Sequence, residues 1–264
     1  MKKILLLVSL TLLILSCSTE EEQESKIPSK IVGWGDSMMQ GAGGNGDNII
    51  SIVARELNIS EYYNFGVGGL TSDNVVFLSG GKDFKVKVND SLKLIEYPTI
   101  PFNEQTYPSR NVEIDGVNGE LIRENYNFYL RGFESFDEEK IIKFKDAEKN
   151  KNSLVIIWVG RNDSQYNNTI ENIKAMTEGN NAFVLSICNA TWDEEGSELY
   201  ERIERLNTEL RNFYGDRFID VREVLYKDSE NIPSEEFLSD GVHLNSRGYE
   251  VVGKYVAQKV LEKI

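Results

Sequence analysis

The chain has 264 residues, 27% charged and 40% hydrophobic, the balance of an ordinary globular domain with room for one sizeable core. Asp and Glu outnumber Lys and Arg by 43 to 29, a net charge of −14, and so acidic a surface argues against nucleic acid as a partner. Its two cysteines, Cys17 and Cys188, exclude a disulfide framework and a Cys-rich zinc site.

The N-terminal stretch "MKKILLLVSLTLLILSC" has two lysines, an apolar run from Ile4 to Leu15, and then Ser16-Cys17. The run is too short to span a bilayer comfortably, and residues 1–16 have the form of a signal peptide. The end "ILSC" resembles a bacterial lipobox, in which the cysteine becomes the lipidated first residue. The alternative is a plain secretory signal with a chance cysteine. Lipidation at Cys17 implies an exported protein anchored to a bacterial membrane, on the periplasmic face or at the cell surface. Cleavage leaves 27 Lys and Arg against 43 Asp and Glu, so acyl chains rather than a basic patch would form the tether. Residues 17–29 are polar, acidic and free of aromatics, and read as a flexible tether. The acidic run equally fits a surface-export signal or a solvated linker.

From Lys30 the pattern alternates. "KIVGW" is a short apolar run of the buried parallel-strand type. "DNIISIVAREL" follows, with Asp47 or Asn48 placed to cap a helix and apolar residues at 49, 53 and 57. "EYYNFGVGG" predicts a second strand ending in glycines. "SLVIIWVG" is the clearest core strand, followed by a helix near 169–178 and the strand "NAFVLSIC". Cys188 in that run reads as a small buried residue rather than a reactive thiol. A helix with Leu199, Ile203, Leu206, Leu210 and Phe213 on one face precedes the short strand "RFIDV". The last helix aligns Tyr249, Val252, Val256, Val260 and Ile264. Short apolar strands alternating with amphipathic helices predict an α/β domain over residues 30–264, its parallel sheet covered on both faces. Chemistry in such sheets gathers at the carboxyl ends of the strands.

Residues 77–150 interrupt that pattern. They carry three of the five prolines, and "DFKVKV" places Phe84, Val86 and Val88 on one side. "RNVEIDGVNGELIRENYNFYLRG" predicts hairpins turning at Asp-Gly and Asn-Gly. This is a β-rich insertion between the second and third sheet strands. It leaves the carboxyl end of the second strand, so it is expected to border the site. Its aromatics (Tyr97, Phe102, Tyr107, Tyr126, Phe128, Tyr129, Phe133 and Phe136) either form its own small core or stack on sugars.

Four stretches carry candidate chemistry. "IVGWGDSMMQG" puts Ser37 just after the first strand, as a nucleophile or as one polar residue of an ordinary turn. "NFGVGGLTS" supplies Gly66, Gly68 and Gly69, which let a backbone turn tightly and leave N–H groups open to a ligand. "GRND" places the Asn162 amide at the carboxyl edge of the core strand. "SDGVHLN" holds His243, the only histidine, with Asp240 three residues before it, a spacing that lets the carboxylate bond Nδ1 and fix the tautomer. A single histidine excludes a multi-His metal site, and no recognisable carboxylate-only metal loop occurs. Together they read as Ser37 the nucleophile, His243 its base and Asp240 the orienting carboxylate. The N–H groups of Ser37 and Gly69 and the Asn162 amide would hold the oxyanion.

These residues resemble the SGNH hydrolases, the GDSL esterase/lipase superfamily, marked by a Gly-Asp-Ser block, a glycine block, a Gly-x-Asn-Asp block and an Asp-x-x-His block. All four occur in the family's order: "GDS" at 35–37, "NFGVGG" ending at Gly69, "GRND" at 160–163 and "DGVH" at 240–243. The resemblance covers residues 30–264 apart from the insertion. It implies a flavodoxin-like three-layer α/β/α fold with a five-stranded parallel sheet of order 2-1-3-4-5. It also implies carboxylic ester hydrolysis through an acyl-enzyme, with no cofactor or metal. Met38 stands where the family often has Leu. The insertion looks like that of a subgroup of secreted bacterial members and leaves specificity open. An exported member of this kind is expected to act as an O-acetylesterase on extracellular or cell-wall carbohydrate. The alternatives are a lipase, thioesterase or arylesterase on small acyl esters, or a silent glycan-binding module.

Overall fold

The structure, a computed structural model, describes residues 27–96, 109–124, 127–145, 153–164, 166–226 and 231–264. The signal segment, Cys17, most of the tether, and Tyr97, Phe102, Tyr107 and Tyr126 lie outside the described residues. The chain begins with β1 (Lys30–Gly35), α1 (Ser37–Gln40), α2 (Ile49–Glu56), β2 (Glu61–Gly66) and α3 (Ser72–Ser79). An antiparallel block follows: β3 (Phe84–Val88), β4 (Leu94–Glu96), β5 (Arg110–Ile114), β6 (Val117–Glu124), β7 (Asn127–Arg131) and β8 (Lys140–Phe144). Then come β9 (Ser153–Trp158), α4 (Tyr166–Thr177), β10 (Asn181–Leu185), α5 (Glu198–Tyr214), β11 (Phe218–Ile219), α6 (Arg222–Leu225) and α7 (Ser246–Leu261). None of the described helices is long and apolar enough to cross a membrane.

Strands β11, β10, β9, β1 and β2 form one parallel sheet in that order. Counted along the chain within this sheet, the order is the expected 2-1-3-4-5. Side chains alternate between its two faces, as strand geometry requires. Val32, Trp34, Val155 and Ile157 join a core under α3, α4 and α5, while Ile31, Leu154, Ile156 and Phe183 join another under α2 and α7. Both faces are covered, which is why these strands read as unbroken apolar runs.

The helices start where short polar side chains can bond free N–H groups. Asn48, not Asp47, caps α2 by accepting from Ser51 N–H at 3.0 Å. Ser197 and Asn245 do the same for α5 and α7. Tyr249, Val252, Val256 and Val260 are fully buried on α7, each valine worth about 1.5–3 kcal/mol of burial. Ile264 lies beyond the end of α7 but packs on its core. Phe213 departs from the expected core face of α5. It is exposed beside the helix end, with the Lys174 ammonium 4.7 Å from its ring centroid.

The insertion differs from expectation in three ways. Helix α3 runs on to Ser79, past the expected boundary at 77, so the β structure begins at Phe84. Asp115-Gly116 does form the two-residue turn between β5 and β6, both at positive φ. Asn118-Gly119 does not turn: it lies within β6, where Gly119 is covered by Phe133 and no room exists for a Cβ. Third, the block is one closed layer rather than loose hairpins. Its strand order is β4-β3-β8-β5-β6-β7, and Lys93 bridges Tyr129 while Leu130 N–H donates to Leu92 O at 2.9 Å. The two edges therefore meet in a small barrel filled by Val86, Val112, Ile142, Leu121 and Leu130. Phe77 of α3 reaches it, its ring edge-on to Phe84, Phe128 and Phe144 at 5.1, 5.6 and 5.8 Å. Arg110 of β5 completes the joint by donating to the carbonyls of Leu78 and Ser79.

Candidate active site

The first strand ends at Gly35, which packs against β9 too closely for a side chain: a Cβ there would lie 2.1 Å from Trp158 O. Asp36 N–H donates to Trp158 O, and its carboxylate accepts Met38 N–H at 3.0 Å, which opens α1 at Ser37. The first N–H groups of a helix have no intrahelical partner, so Ser37 N–H stays open. Gly41, at φ 94°, ends α1 after one turn.

The second strand delivers the glycine turn to the same edge. Val67 N–H donates to Gly35 O, and Gln40 Oε1 accepts Gly68 N–H at 2.9 Å. A Cβ on Gly68 would lie 3.9 Å from Ser37 Cβ, so this backbone runs alongside the serine. Gly69 adopts φ 77°, a left-handed conformation that favours glycine. After β9, Asn162 Nδ2 donates to Leu70 O at 2.9 Å, which ties the amide to the residue after Gly69. Asp163 accepts Ser72 N–H at 2.9 Å and Ser72 Oγ–H at 3.0 Å, and so holds the start of α3.

The fourth stretch folds onto Ser37 from 206 residues away. Asp240 Oδ1 accepts the N–H groups of Val242 and His243 at 2.8 and 2.7 Å. That turn sets Asp240 Oδ2 2.8 Å from His243 Nδ1, and His243 Nε2 3.0 Å from Ser37 Oγ. Ser37, His243 and Asp240 thus form one chain of hydrogen bonds. Ser37 and His243 are partly buried, and Asp240 is exposed.

Charge settles the direction of that chain. What burial Asp240 has works against its ionisation, but the His243 N–H, the His243 ring and the Val242 N–H outweigh it and hold the carboxyl at about 2. An ionised Asp240 accepts only, so Nδ1 carries the proton and Nε2 is left bare to accept Ser37 Oγ–H. Asp36 is the opposite case. Burial is its largest influence and pushes it up to about 7, aided by the nearby Asp163 charge and opposed by the Met38 N–H. Asp163 is pushed up to about 6, again mainly by burial. Burial also pushes the Cys188 thiol up to about 12, which makes it inert, as its apolar setting suggests.

Of the residues expected from sequence, Ser37 opens α1 and Gly69, Asn162, Asp240 and His243 lie on loops, all at the carboxyl edge of the sheet, and Cys17 lies outside the described residues. The barrel contacts α3 through Arg110 and Phe128, and the Arg110 guanidinium lies 5.8 Å from the Trp34 ring centroid. Two residues at this edge had no signal in the sequence. Gln40 fastens the glycine turn, and Arg161 pairs with buried Asp193 at 2.7 Å and donates to Cys188 O. Polar residues beside a motif look alike until the partner is in place.

The fold is shared with known structures. A GDSL-like lipase from Bacteroides thetaiotaomicron is 13% identical, with 89% of each chain covered and a TM-score of 0.53. A member of the lipolytic G-D-S-L family from Veillonella parvula is 14% identical, with 89% of this chain and 99% of that one covered and a TM-score of 0.53. A G-D-S-L family protein from Desulfitobacterium hafniense gives 16% identity, 88% and 99% coverage, and 0.53. No curated protein matches the sequence at a significant level. The sequence profile of GDSL-like Lipase/Acylhydrolase proteins matches residues 31–256, a span that runs from β1 through all four blocks into α7, and the chain belongs to that family.

Proposed function

We propose that this ester hydrolase is a serine O-acetylesterase of extracellular or cell-wall carbohydrate. The observation that carries the catalytic part is the chain from Ser37 Oγ through the His243 ring to Asp240, at 3.0 and 2.8 Å. In this reading Ser37 Oγ attacks the ester carbonyl while His243 Nε2 takes its proton. The Ser37 and Gly69 N–H groups and the Asn162 amide bind the oxyanion. His243 then returns the proton to the leaving alkoxide, and water releases acetate from the acyl-enzyme by the same route. Asp240 keeps the imidazole oriented and stabilises its cation.

Carbohydrate is supported by the expected export: a signal peptide at 1–16 and a lipid on Cys17 would set the enzyme among surface polymers.

The test compares the mature protein with Ser37→Ala on 4-nitrophenyl acetate, 4-nitrophenyl octanoate and an acetylated polysaccharide. The expected result is turnover of both acetyl substrates, lowered by about 10⁴-fold or more in the variant. Preference for octanoate would move the assignment to a lipase or thioesterase. Negligible rates for both proteins would leave a glycan-binding module.

A further inference from the structure

Trp192 lies on the loop that leaves β10, at the same edge of the sheet as Ser37. It is 60% exposed, whereas Trp34 and Trp158 are 8% and 2% exposed. Its ring rests on Gly241, where a Cβ would lie 2.1 Å from indole Cζ3 and 2.6 Å from Cε3. Gly241 follows Asp240 and precedes Val242 and His243, so the indole is seated on the loop that carries the imidazole.

Single exposed aromatics are ordinary on protein surfaces. This one is built in. Thr191 N–H donates to Gly241 O at 2.8 Å. Asp193 Oδ2 accepts Ala190 N–H at 2.7 Å, and the same carboxylate pairs with Arg161, the neighbour of Asn162. The turn bearing Trp192 is therefore tied to both the Asn162 and the His243 loops. A fixed indole offers a broad apolar face at little cost in conformational freedom. The ligand that fits is a ring with an apolar C–H face and a hydroxyl rim.

We propose that Trp192 is a stacking platform for the pyranose that bears the ester. This rests on the carbohydrate reading above. The test measures kcat and KM of the mature protein, Trp192→Ala and Trp192→Phe on O-acetylated xylan and on ethyl acetate, which has no ring to stack. The alanine variant is expected to lower the ratio of kcat/KM for xylan over ethyl acetate by about tenfold, mainly through KM, with phenylalanine restoring most of it. An equal loss on both esters would make Trp192 a prop for the Asp240–His243 loop and overturn the platform. An unchanged ratio, with xylan cleaved by the parent protein, would overturn it while leaving the carbohydrate reading intact. A parent protein active on ethyl acetate but not on O-acetylated xylan, glucomannan or peptidoglycan would remove both.

Discussion

Two aspartates beside the same serine show how environment sets what a residue does. Asp240 is exposed and accepts three hydrogen bonds, so it stays ionised. Asp36 is sealed beneath α1 and is pushed up to about 7, from an ordinary value of 3.8. Between those values the folded chain binds a proton that the unfolded chain has released. Stability contributed by this group is therefore greatest near pH 4 and falls as pH rises to 7. Asp163, pushed up to about 6, acts in the same direction. Asp36→Asn keeps an acceptor for Met38 N–H and removes one titration. Urea unfolding should show the parent protein losing more stability than the variant between pH 5 and pH 8, by up to about 3 kcal/mol. Parallel pH profiles would refute the burial argument. The Asp-x-x-His spacing was legible in sequence, because a three-residue turn is local. The burial of Asp36 was not, because it depends on β9 and Arg161.

At the scale of elements, the carboxyl edge of β1 and β2 is made by strands that end in glycine, so that α1 and β9 can sit against them. A Cβ at Gly35 would meet Trp158 O at 2.1 Å, and one at Gly66 would meet Gln40 N at 2.2 Å. Backbone on both sides leaves nothing to rotate away. Gly35→Ala should destabilise the protein by about 3 kcal/mol in urea titrations, because the excess volume must displace a strand. A cost below about 1 kcal/mol would mean that β1 and β9 slide apart easily. The same reasoning explains the one turn that sequence misplaced. Asp115-Gly116 and Asn118-Gly119 offer equal turn chemistry, and only the pairing of Glu113 with Asn118 and of Val112 with Gly119 decides between them. Phe133, fourteen residues on, covers Gly119 and makes glycine necessary in the strand.

At the scale of the molecule, the barrel and the α/β body share one continuous core, and Phe77 lies at the joint. Phe77 is fully buried, belongs to α3, and meets three barrel rings. Phe77→Ala should cost about 3–5 kcal/mol in chemical denaturation, because neither layer can collapse into the space without parting from the other. A loss below about 1 kcal/mol would show that the two layers are held elsewhere.

The sequence alone determined the alternating body and the four blocks in order, because each rests on contacts within a few residues or on a period set by backbone geometry. Tertiary structure alone decided the rest. His243 meets Ser37 across 206 positions because the start of α7, just after His243, is fastened to the loop after α1, Ser246 Oγ–H donating to Gly44 O and Tyr249 O–H to Ala42 O. The insertion closes because its two edge strands, β4 and β7, leave unpaired backbone groups that satisfy one another, as between Leu92 and Leu130. Trp192 stands exposed on Gly241 because two loops far apart in sequence are fastened by Arg161, Asp193 and Thr191. Local patterns carry periodicity and spacing, whereas exposure and partnership are properties of surfaces that exist only after the chain has packed.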